Sequence, residues 1–156
     1  MDKSYLKIFK RDWTYGILLF IGFLIYFYIM KSTELYTEFN LRIFNVVIHA
    51  LLIYLAIRSY YKEHPNTQIN YLDGAFAGIR PGLVGVFLFG LFQVVYLHID
   101  TELMSAVENN AMAGTFMNPY TAAAVVLFEG VAVTLVLSYI LMRIVDSQHN
   151  ESYPRD

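Results

Sequence analysis

Residues 119–142 read PYTAAAVVLFEGVAVTLVLSYILM, a run with one formal charge, Glu129. A helix that crosses a bilayer needs about 20 largely apolar residues, and this run supplies them. Asn118 is a capping residue and Pro119 suits the first helical position, so the start of the helix is also marked. Three similar runs precede it. Residues 13–30, 43–57 and 81–99 contain no Asp, Glu, Lys or Arg. The second run is short unless Arg42 and Arg58 form its ends, their stems in the hydrocarbon and their charges at the headgroups.

The rest of the composition agrees. The chain has 156 residues, 57% hydrophobic and 15% charged, with a mean hydropathy of +0.46. A soluble domain carries about 25% charged residues. The absence of cysteine excludes a disulfide scaffold. A net charge of −2 gives no overall footprint for nucleic acid. The apolar runs are continuous rather than alternating, which argues against a barrel. The sequence therefore predicts an all-α integral membrane four-helix bundle over residues 1–146. Its spans are about 13–31, 41–59, 76–99 and 119–142, and a polar, unstructured tail follows over 147–156.

Lys3, Lys7, Lys10 and Arg11 precede the first run, as in a signal peptide. The run is longer than a signal core and lacks a small-x-small cleavage site, so it reads as an uncleaved anchor. The basic stretch itself reads either as a short interfacial helix or as a plain flank of the span. Lys31 and Arg42 lie between spans one and two, and Arg58, Lys62 and Arg80 between two and three. The third connection has no basic residue, and Arg143 and Arg155 follow the fourth span. The alternation places nine basic residues on one side and two on the other. Basic residues stay in the cytoplasm, so both termini are expected there.

In the cytoplasmic loop, Pro65 gives turn chemistry and Asp73 stands where a helix cap would. In the outer loop, Asp100 can cap a short helix whose apolar face is Leu103, Ala106 and Val107.

Two features inside the spans could carry function. Gly74, Gly78 and Gly82 are spaced by four, with Gly85 just beyond, and form a face that admits close helix packing. Pro81 among them suggests a bend, and the stretch reads either as a hinge or a cavity or as a tight helix contact. The second feature is polar. Asn45, His49, Gln93 and Glu129 all fall in the outer half of the membrane at about 1.5 Å of rise per residue. A cluster of the four is possible, with Glu129 paired to His49. It reads either as an interhelical clamp or as part of a transport path.

No His-x3-His pair is present, so a metal site is not expected. The sequence shows none of the phosphate-loop, nucleophile-elbow, zinc-protease or dinucleotide motifs. No enzyme activity and no cofactor are expected.

Asp73-Gly74-Ala75-Phe76-Ala77-Gly78 leads into the third span, which closes with Tyr96-Leu97-His98-Ile99-Asp100. The last span closes with Ser138-Tyr139-Ile140-Leu141-Met142. This pattern resembles an uncharacterised family of small four-span bacterial inner-membrane proteins, known only as a domain of unknown function. The resemblance covers about residues 10–146. It implies the four-span topology and a bacterial inner (cytoplasmic) membrane, and it adds no site residues. The expected role is a structural or accessory subunit of a membrane complex. Its partners would be membrane lipid and another membrane protein or a second copy, not nucleic acid. The alternative is a small proton-linked transporter or channel using Glu129 and His49.

Overall fold

A computed structural model describes residues 3–33, 43–65, 69–110 and 116–152. These form five helices: α1 (Lys3–Ser32), α2 (Ile43–Glu63), α3 (Tyr71–Ile99), α4 (Thr101–Asn110) and α5 (Pro119–Ser152). No strand occurs among the described residues. α1, α2, α3 and α5 are long and apolar enough to cross a membrane, and the chain is a multi-pass membrane protein. The start of α1 and the end of α5 lie at the same end of the bundle, with the end of α2. The opposite end carries α4.

The helix boundaries follow local chemistry. Asn118 Oδ1 accepts the backbone N–H groups of Tyr120 and Thr121, both at 3.0 Å, and so caps α5. Asp100 Oδ1 accepts Leu103 N–H at 3.0 Å and caps α4. Two expected boundaries shift. α3 begins at Tyr71 with Asn70 as its cap, so Asp73 lies in the first turn rather than at the cap, where its charge suits the helix dipole. α1 begins at Lys3 and runs into the first span without a break, so the basic stretch is not a separate interfacial helix.

α3 is the hub, with α1, α2 and α5 packed around it. Lipid tails are as apolar as leucine, so close packing and polar contacts hold membrane helices together, not the hydrophobic effect. Leu19 and Phe23 of α1 bury against Val86 and Phe89 of α3. Ile53, Ile57 and Tyr61 of α2 bury against Met142 and Val145 of α5. Leu103 of α4 buries against Leu97 and Ala122, tucking the short helix onto the bundle end. α3 stays an unbroken helix across Pro81, which is buried; buried surroundings let a membrane helix carry a proline.

The expected tail is also corrected. α5 continues to Ser152, because its last turns have partners on α2. Tyr61 Oη donates to Asp146 Oδ1 at 3.3 Å, and the Tyr61 and His149 rings meet edge to face. Residues 153–156 lie outside the described residues.

Candidate functional site

The polar centre of the bundle is built on spacing by four. Gly130, Thr134 and Ser138 recur along one stripe of α5. Gly78 and Gly82 recur along α3. The two stripes face each other. A Cβ on Gly82 would run into Thr134 Cγ2, and one on Gly78 would lie 2.8 Å from Ser138 Oγ. Gly74 extends the line to the Tyr61 hydroxyl, 2.8 Å from its would-be Cβ. Gly85 is three residues beyond Gly82, not four, and the change of rotation turns it to α1. Its Cβ would meet Leu19 Cβ at 2.8 Å and the Gly16 carbonyl oxygen at 2.9 Å.

His49 of α2 closes this line. Its Nε2 lies 3.0 Å from Thr134 Oγ1. The Thr134 hydroxyl donates to the Gly130 carbonyl at 2.7 Å, a common back-bond of threonine within a helix. A hydroxyl has one proton to give. Thr134 Oγ1 therefore accepts, and His49 donates through Nε2–H. The ring is 2% exposed and is walled by Phe23, edge to face at 5.4 Å. Ser138, one turn on, is fully buried, and its Oγ has no hydrogen-bond partner among the described residues.

The expected pairing of His49 with Glu129 is not formed. Glu129 lies on the exposed side of α5, and His49 is level with Thr134, five residues further along. Five residues advance a helix by about 7.5 Å and turn it by about 140°. Depth counted from each helix start missed both the offset between α2 and α5 and the rotation. Gln93 is buried on α3 and Asn45 half-buried on α2. No hydrogen bond among the described residues joins either of them to His49, and Asn45 Oδ1 is a buried acceptor without a partner there. The four polar residues thus do not form one cluster.

Thr134 and Ser138 were missed by counting charged and amide residues alone. Their signal was the small-residue spacing Gly130, Thr134, Ser138, the counterpart of the glycine spacing on α3.

Charged groups gather at the two bundle ends. At the end carrying α4, Lys31 at the close of α1 pairs with Asp100 and hydrogen-bonds Tyr96. The Lys31 ammonium, then the Leu103 N–H, hold the Asp100 carboxyl below the ordinary carboxylate range. At the end where α1 starts and α5 finishes, Arg11 Nη2 lies 2.8 Å from Asp12 Oδ1. Asp12 Oδ2 lies 3.9 Å from Arg80 Nη1 on α3. Glu63 of α2 lies 3.7 Å from Lys7 Nζ and 4.0 Å from Arg11 Nη1. No group of three or more His, Cys, Asp or Glu placed to hold a metal ion occurs among the described residues.

A family model described as "Protein of unknown function (DUF4199)" matches residues 13–118, from the first span to the residue before α5. The searches of curated proteins and of solved structures found no match.

Proposed function

Because the chain belongs to the DUF4199 family, whose function is unknown, we propose its role from its own side chains: a structural or accessory subunit of a membrane complex, without catalysis. The observation that carries this reading is the enclosure of His49. Its donor is engaged by Thr134 and its ring is closed in by Phe23, the arrangement of a clamp that fixes α2 against α5. The glycine contacts of α3 work to the same end, giving a rigid bundle with large apolar side chains turned outward, among them Val47, Phe87 and Val136. Such a surface suits lipid and another membrane protein or a second copy of the chain.

In this reading both termini lie in the cytoplasm and the membrane is the bacterial inner membrane. The nine-to-two distribution of basic residues supports the orientation. The alternative, a proton-linked transporter or channel, would run through His49 without Glu129 beside it.

Cross-linking in cells, followed by native mass spectrometry of the protein in mild detergent, tests the proposal. One membrane protein, or a second copy, at fixed stoichiometry is the expected result. A monomer with no cross-linked neighbour would count against it.

A further inference from the structure

Arg11 lies on α1 near its start and faces α2. Its side chain is 5% exposed, and its guanidinium lies over the Tyr60 ring at 4.8 Å. Nη2 is satisfied by Asp12. Nε and Nη1 are buried and have no hydrogen-bond partner among the described residues. Glu63 Oε2, 4.0 Å from Nη1, is near enough for attraction and too far for a hydrogen bond. A permanently charged group with two unbonded donors is costly to bury unless an acceptor meets them.

Two further cations flank it. Lys7 is largely exposed and Arg80 half exposed. Asp12 and Glu63, with Asp73 close to Tyr60, match the three cations in number. The position of the cluster is also informative. Arg11 lies just before the first charge-free run, Glu63 ends α2, and Arg80 directly precedes the charge-free run from residue 81. The cluster is therefore at the boundary between hydrocarbon and water. On the proposed topology this is the cytoplasmic boundary, where anionic lipids concentrate.

We propose that Arg11, with Lys7 and Arg80 beside it, forms a binding site for a phosphate group, whose oxygens accept from Arg11 Nε and Nη1. Phosphate fits because it offers several acceptor oxygens to the two unbonded guanidinium donors. The group could belong to a phospholipid headgroup or to free phosphate, and the two are separable.

The test is native mass spectrometry of the full-length protein in detergent, titrated separately with phosphatidylglycerol, phosphatidylcholine and inorganic phosphate. A bound phosphatidylglycerol held more tightly than phosphatidylcholine assigns the site to a lipid headgroup. Retention of inorganic phosphate, undiminished by chloride at matched ionic strength, assigns it to the free ion. In either case Arg11→Gln should weaken binding at least tenfold, since it removes a charge and the hydrogen bonds that charge donates. Lys7→Gln, at an exposed position, should fold normally and weaken binding about two- to fivefold, as one exposed charge contributes modestly. If Arg11→Gln does not fold, Lys7→Gln decides. Equal binding by the wild type and the folded variants, or no binding of any of the three probes, overturns the proposal.

Discussion

His49 Nε2 and Thr134 Oγ1 lie 3.0 Å apart, and they join α2 to α5 in the interior of the bundle. Thr134 already donates to the Gly130 carbonyl, so the histidine is the donor. Thr134→Val keeps the shape of the side chain and removes the acceptor. It should cost about 1 kcal/mol, between the bilayer average of about 0.6 for such a bond and the 1–3 expected for an orphaned buried donor. Thr134→Ser should recover most of the loss. Reversible unfolding in detergent measures both, and nitrogen NMR of His49 should show the proton on Nε2.

Among the glycines, the cost of a methyl should follow what it meets. At Gly85 the new Cβ would lie 2.9 Å from the Gly16 carbonyl oxygen, so the backbone of α1 must move. At Gly22 the nearest atom is Ile48 Cγ2, also at 2.9 Å, on a side chain that can shift. Gly85→Ala should therefore destabilise by about 1–3 kcal/mol, as overpacking does, and Gly22→Ala by less. Equal melting temperatures for the two variants would contradict the close approach of α1 to α3.

The Lys31–Asp100 pair should give an acid dependence. The folded Asp100 carboxyl is held low by Lys31 and the Leu103 N–H, so it binds protons less readily than in the unfolded chain. Its stabilisation is present above the unfolded value of about 3.9 and is lost as pH falls through the lower folded value. The melting temperature of the wild type should fall more steeply below pH 4 than that of Asp100→Asn. Parallel curves would show that the pair adds nothing to stability.

Reporter fusions test the orientation. Insertions at Gln68 and Asn110 should report the cytoplasm and the far side of the membrane, respectively, from the basic-residue asymmetry. The reverse result would move the Arg11 cluster to the outer boundary.

Much of the architecture was legible in the sequence because charge is so costly in hydrocarbon. The four runs became α1, α2, α3 and α5, and Asn118 and Asp100 capped as their positions implied. The interior was less legible. Glu129 drew attention because a carboxylate within a span is rare, yet it lies on the exposed side of α5 while Thr134 meets His49. Depth can be counted along a sequence. The axial offset between α2 and α5 is set by packing, here around Gly78 of α3, which admits Ser138 of α5 on one side and Ile53 and Ile57 of α2 on the other. The extension of α5 beyond the span had a similar cause, since Tyr61, far away in sequence, supplies the contacts that order its end.

In the proposed role the buried histidine holds helices together and carries no protons. Purified protein in liposomes loaded with a pH-sensitive dye, placed under an imposed pH gradient, tests this most directly. Proton leakage should be no faster than in protein-free liposomes, both for the wild type and for His49→Gln. A flux well above that background, abolished in a folded His49→Gln variant, would contradict it.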